Sequence, residues 1–296
     1  MELPQRRFVV TDRRNLDKMP RLPQNNPGAR FPDARSGSRH VVTRTIPIVA
    51  CPLFWKGTMP VDHPGYEDQQ EHFDQAKHQY SRDAILNPPL HTNLEMKGVL
   101  NALAAIPTGP GQSILDFGAG TGRLSIALAR AGYSVLAVDI SEISLATLRE
   151  VAAGLGLDSI RMSTAFPDDG EFAAVVGADV LHHIDLDEYV PKIHAVLTEG
   201  GKAVFTEPGG LHPFWYVYLS IFYDMRVERR IVHGNLFTLR RTFERHGFRH
   251  VKISGVGLLP RPLFGWSNAA CRLHDRSGNL PLARWFAYRY LIEATK

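Results

Sequence analysis

Cysteine is scarce in this sequence. Only Cys51 and Cys271 occur among 296 residues, which excludes a disulfide framework and any thiolate cluster of recognisable metal spacing. No metal is expected from the sequence, and a reducing, cytoplasmic setting is the expectation. Long apolar runs are missing too. The longest uncharged apolar stretch, Leu211 to Tyr223, contains His212 and Pro213 and is too short to span a bilayer. Met1 is followed by polar and basic residues rather than an apolar segment, so no secretory leader is read. Without internal repeats, solenoids and propellers are excluded.

What is present fits a globular protein. Hydrophobic residues make up 44% and charged residues 22%, enough for one large domain with an appendage or two small domains. The net charge of +4 is unevenly spread. Residues 1–47 hold ten basic and four acidic groups, a net +6, and the remainder holds 24 basic and 26 acidic, a net −2. Such an arm suits nucleic acid or an acidic lipid surface. Its Pro, Arg and Asn content suits a solvated extension at least as well. Residues 1–60 are therefore read as a basic, Pro-rich extension and 61–110 as a helical cap segment. Residues 41–56 are β-branched and aromatic and suit one or two short strands, demoted to edge or irregular structure by Pro47 and Pro52.

Helices are predicted over Glu67–Tyr80 and Thr92–Ile106. From Ser113 strands and helices alternate. Strands are predicted at 113–117, 134–139, 159–163, 172–178 and 202–206, with helices at 122–131, 142–154 and 186–197. Apolar strands alternating with helices argue for a parallel sheet covered on both faces. Ser141 and Asp185 are placed to cap two of the helices. Further on, Leu211–Ile231 reads as a long aromatic helix and Asn235–His246 as another, an insertion at about 211–246. Phe248–Gly255 and Tyr288–Thr295 read as strands, separated by a Pro/Gly-rich segment.

The most informative segment is Asp116-Phe117-Gly118-Ala119-Gly120-Thr121-Gly122, between an apolar strand and an amphipathic helix. Glycines let the backbone turn sharply and approach a ligand. In the dinucleotide fingerprint G-x-G-x-x-G the third glycine would fall at Arg123, whereas here the spacing is G-x-G-x-G. Asp116 at the head of the loop would repel a pyrophosphate but suits a ligand carrying an ammonium and a sulfonium. Asp139 ends the next strand, about twenty residues on, where a carboxylate can accept ribose hydroxyls.

ILDFGAGTG, SVLAVDIS, DVLHHI and GGKAVFTEPG, in that order, resemble the class I S-adenosylmethionine-dependent methyltransferases, over roughly Leu94 to Lys296. The resemblance implies a doubly wound, Rossmann-like, mostly parallel seven-stranded sheet with an antiparallel last strand, making 111–296 a methyltransferase domain. It implies S-adenosylmethionine as cofactor, held by Asp116, Gly118, Gly120, Gly122, Asp139 and Ile140. Tyr80 would close over the methionine end. Gly177 would stand beside the site, after the fourth strand. Many relatives place an Asp after the third strand to bond the adenine amine; Arg161 to Phe166 offers none, and Thr164 or the backbone near Ala165 is the substitute.

Ligands of open α/β sheets bind outside the carboxyl ends of the strands. That points to Asp179, His182 and His183 after the fourth strand and to Glu207, Pro208 and His212 after the fifth. His182, His183 and Glu207 are the candidate catalytic groups, should the acceptor need to lose a proton. Phe214, Trp215, Tyr216 and Tyr218 suit an apolar lid, and equally a core or a subunit interface. The leading expectation is methyl transfer to a small apolar or aromatic acceptor, such as a specialised metabolite, quinone precursor or lipid. The alternatives are a peptide or nucleic-acid methyltransferase using the basic arm, and a non-methylating S-adenosylmethionine-binding protein on the same fold. Nucleic acid is the less favoured partner, since Asn87-Pro88-Pro89-Leu90 precedes the glycine loop and lacks a stacking aromatic. A homo-oligomer is left open.

Overall fold

The computed structural model describes residues 66–75, 81–106, 112–222 and 228–296, all within one compact unit, Pro60–Lys296. The extension over 1–60, its strands at 41–56 and Tyr80 lie outside the described residues. Among those described, β1 (Ser113–Phe117), β2 (Ser134–Val138), β3 (Ile160–Ser163), β4 (Phe172–Ala178), β5 (Leu197–Pro208), β6 (Arg249–Val256) and β7 (Arg289–Thr295) form one sheet of order β3-β2-β1-β4-β5-β7-β6. The first five strands pair in parallel, and β7 runs antiparallel to both β5 and β6. This is the implied doubly wound sheet with its antiparallel last strand.

The central strands β1, β2 and β4 are apolar nearly throughout because the sheet has two cores. Ile114, Val135, Ala174, Val176 and Val204 pack on one face beside helices α3 (Leu90–Ala102), α4 (Arg123–Arg130) and α5 (Glu142–Gly154). Leu115, Val175, Ala203 and Phe205 pack on the other, beside α6 (Leu186–Val196) and α8 (Leu236–Arg245). Successive residues of β1, β4 and β5 thus divide between the two clusters, as a period of two requires.

Short α1 (Tyr66–Asp74) and α2 (Arg82–Leu86) precede α3. α1 docks where the Ser141 hydroxyl donates to Asp74 Oδ1 (2.5 Å) and Gln69 Nε2 donates to the His183 carbonyl (3.1 Å). Ser141 and Asp185 cap α5 and α6 as expected, accepting from the Ser144 and Asp187 backbone amides.

Two expectations needed correction. The aromatic helix is shorter than Leu211–Ile231: α7 spans Pro213–Phe222, and Arg229–Gly234 forms a separate 3-10 turn. Proline at the first position of α7 sets the helical φ where no amide partner is needed. The Pro/Gly-rich segment between β6 and β7, for which the sequence predicts no helix, also holds α9 (Asn268–Ser277). The Ser267 hydroxyl accepts from the amides of Ala269 and Ala270 there, a cap signal that the surrounding prolines and glycines outweighed in the sequence.

Candidate functional site

Strand order reverses at β1, whose neighbours are β2 and β4. The connections leaving β1 and β4 therefore turn to opposite faces and open a crevice at the strands' carboxyl ends. A cavity of about 1160 Å³ lies there. The glycine loop, Asp139, Ile140 and Thr164 line one region, and His182, His183, Trp215, Tyr218 and Tyr288 line another.

The loop's glycines have different duties. The amides of Gly118 and Ala119 donate to the Val138 carbonyl (2.8 and 3.0 Å), pinning the loop to β2. Gly120 has φ +52°, and a Cβ there would meet nothing within 4 Å; it faces open cavity. Gly122 has φ +89°, and its Cβ would fall 2.1 Å from Leu148 Cδ1. It does not line the cavity, so its role is close packing of α4 on α5. Gly177 is likewise internal: a Cβ would lie 2.6 Å from the Phe117 carbonyl oxygen and 2.9 Å from Phe205. Ala178 and Asp179 line the cavity in its place.

Asp139 accepts from the Gly120 amide (2.7 Å) and the Ser141 amide (2.9 Å). Burial pushes its carboxyl above the ordinary carboxylate range, against the pull of those amides. Asp116 sits beneath the loop, 1% exposed, accepting the Ser125 hydroxyl at 2.5 Å. Burial raises it to about 7.

After β4, Asp179 takes a left-handed φ of 60°. Burial would raise its carboxyl, but Arg289 and Arg123 hold it below the usual range. Arg289 also pairs with Glu95 at 2.8 Å, and the Thr206 hydroxyl donates to Glu95 at the same distance. Glu95, Arg123 and Arg289 carried no signal in the sequence, since each is a lone charge on a separate element.

The three candidate catalytic groups do come together. Glu207 is fully buried and accepts from the amides of Val180 (2.9 Å) and Leu181 (2.8 Å) and from His182 Nδ1 (2.7 Å). It does not line the cavity. Its carboxylate instead satisfies amides of the turn after β4 and orients His182, whose Nε2 lies 3.5 Å from Glu228 Oε2. Burial alone would depress His182, but the hydrogen bonds and charges of Glu207 and Glu228 raise it to about 10. Its neighbour His183 is depressed to about 3, first by burial and then by His182. The two rings are 3.9 Å apart. His212 is drawn away, bonding the Leu258 carbonyl (3.0 Å) and the Phe214 amide (3.2 Å).

Across the cavity, Trp215, Leu219, Ile231 and Tyr288 form a separate apolar cluster with Phe214 and Tyr218 against it. Trp215 stacks on Tyr288 at 4.7 Å and donates from its indole to the Tyr288 carbonyl. Of the roles expected for these aromatics, lid or core, the packing corresponds to a core that walls the cavity.

Residues 114–201, from β1 through the glycine loop to β5, match the family model described as a methyltransferase domain. Over these residues the chain carries a class I S-adenosylmethionine-dependent methyltransferase domain. It is 29% identical over 119 residues to a ubiquinone biosynthesis O-methyltransferase of Pseudomonas paraeruginosa, covering 38% of this chain and 50% of that one. A protein of the same name from Caulobacter vibrioides is 36% identical over 97 residues, covering 31% and 38%. The chain therefore spans half or less of these curated relatives. Among solved structures, geranyl diphosphate C-methyltransferase of Streptomyces coelicolor superposes with a TM-score of 0.55 at 16% identity, covering 79% of this chain and 98% of that one. Phosphoethanolamine N-methyltransferase 2 of Haemonchus contortus superposes at 0.53 with 17% identity, covering 80% and 61%. At these identities the two share the methyltransferase fold. No helix among the described residues is long and apolar enough to cross a membrane.

Proposed function

We propose that this methyltransferase moves a methyl group from S-adenosylmethionine to a small apolar or aromatic acceptor. One observation carries the reading: a single cavity joins the glycine loop and Asp139 to the aromatic wall. At about 1160 Å³ it exceeds the roughly 300–1,000 Å³ of a typical single-ligand pocket, so two ligands fit side by side.

The residues suit the cofactor. Gly120 leaves a cradle that a Cβ would occupy, and Asp139 stands where a carboxylate accepts ribose hydroxyls. Ile140 and Thr164 line the same region and are assigned to the adenine side. Gly118 shapes the loop, Gly122 and Gly177 pack behind it, and Asp116, which lines the cavity, ties the head of the loop to α4 through Ser125. S-adenosylmethionine, when bound, supplies an activated methyl on a sulfonium, so the protein's work is orientation and exclusion of water. His182 and His183 are assigned to contact with the acceptor, and Glu207 to holding His182 in place. The ubiquinone O-methyltransferase relatives favour a hydroxyl on a quinone-like ring as the methylated group.

Calorimetry with S-adenosylhomocysteine tests the cofactor half. Binding is expected for the native chain and is weakened about tenfold or more in Asp139→Ala, the worth of a hydrogen bond to a charged group. Absence of binding to the native chain overturns the reading. Transfer of labelled methyl to phenolic or quinol-like acceptors, with none to peptide or nucleic acid, tests the acceptor half.

A further inference from the structure

We propose that His182, His183 and Glu228 form a binding site for a divalent transition-metal ion at the acceptor side of the cavity. A ring nitrogen from each histidine and a Glu228 carboxylate oxygen all lie within 4.8 Å of one another, and all three residues line the cavity. Nitrogen donors bound at about 2.0–2.1 Å to a tetrahedral ion lie about 3.3 Å apart. The 3.5 Å from His182 Nε2 to Glu228 Oε2 is already close to that, and small side-chain rotations bring in the third donor.

Two further observations point to a ligand. The Nδ1 of His183 is buried without a hydrogen-bond partner, a cost that a bound ion or its water removes. The His182 ring is also held as metal-binding histidines are held. Its Nδ1 donates to Glu207 at 2.7 Å, leaving Nε2 toward the cavity, and Glu207 is itself fixed by the amides of Val180 and Leu181. A carboxylate behind a ligating imidazole sets its tautomer and raises its basicity.

Two imidazoles and one carboxylate favour Zn²⁺, Fe²⁺ or Co²⁺ over Mg²⁺ or Ca²⁺. Three protein ligands leave a coordination position open, as in catalytic rather than structural sites. That position faces the cavity and suits an acceptor oxygen, whose proton the ion would make easier to lose. Only this role rests on the methyl-transfer reading; ion binding does not. The competing arrangement is a proton shared between His182 and Glu228, with no ion.

The experiment uses the full chain, stripped with a chelator and titrated with Zn²⁺ or Co²⁺ alone. One equivalent is expected to bind, and the Co²⁺ form is expected to show the intense visible bands of a four- or five-coordinate ion with nitrogen ligands. Glu228→Gln is expected to weaken Zn²⁺ binding by more than about a hundredfold. Glu207→Gln, which keeps the side chain's shape, is expected to weaken it by about 10–100-fold, the range for partners behind a ligand. S-adenosylhomocysteine binding in the same samples reports that the fold is intact and tests the methyltransferase reading separately. No stoichiometric binding, a weak octahedral Co²⁺ spectrum, or an affinity unmoved by Glu228→Gln in folded protein overturns the proposal.

Discussion

At the scale of single residues, the glycine loop separates folding from binding. Gly122→Ala places a Cβ against Leu148 at a positive φ, combining the ~1–2 kcal/mol cost of a left-handed L-residue with overpacking of about 1–3 kcal/mol. Gly120→Ala carries only the backbone cost, because nothing lies within 4 Å. Urea unfolding is expected to show the larger loss in Gly122→Ala, and calorimetry the larger loss of S-adenosylhomocysteine affinity per unit of stability in Gly120→Ala. Asp116 makes a second prediction. Burial lifts its carboxyl from 3.8 to about 7, so the folded state holds a proton that the unfolded chain releases. Its contribution to stability is complete below about pH 4 and is lost as pH rises to about 7. Asp116→Asn removes this titration, and the fall in unfolding free energy between pH 5 and 8 is expected to shrink, by roughly 1–3 kcal/mol. Three glycines between a strand and a helix announced such a loop in the sequence. That Gly122 and Gly177 serve packing did not show, because a glycine's neighbours come from other elements.

Among the elements, Arg289 ties three together. It leaves the start of β7 to meet Glu95 on α3 and Asp179 after β4, and it is 8% exposed. Arg289→Met leaves the carboxylates of Glu95 and Asp179, 12% and 36% exposed, without that partner; solvent screening brings the cost to roughly 1–3 kcal/mol, below the ~3–5 kcal/mol of a fully buried pair. A drop of that size in chemical denaturation is expected, with recovery when Glu95→Gln is added. A double-mutant cycle measures the coupling. The elements themselves were largely legible: short apolar runs alternating with helical stretches marked the strands of the sheet, and Ser141 and Asp185 marked two helix starts. Less legible were α7, whose end at Phe222 falls where the apolar run gives way to charge although the sequence reads as helix on to Ile231, and α9, whose Ser267 cap sits among turn-forming residues.

For the whole molecule, the crevice proposed for the cofactor is built from segments on both sides of the point where strand order reverses, so a ligand bound there braces the fold. S-adenosylhomocysteine at about 100 times its Kd is expected to add ~2.7 kcal/mol, raising Tm by about 5–10 °C at ~2–4 °C per kcal/mol in a thermal melt. By itself the sequence determined the sheet class, the glycine loop and the acid that follows it, because these depend on local periodicity and short spacing. Only the tertiary structure decided which polar groups meet. Glu207, His182 and Glu228 span 47 residues of chain and join through a turn after β4, the end of β5 and the start of a 3-10 segment. Glu95, Asp179 and Arg289 assemble in the same way across three elements. No spacing rule predicts such meetings, since they follow from sheet order and from how far each side chain reaches once both cores are packed.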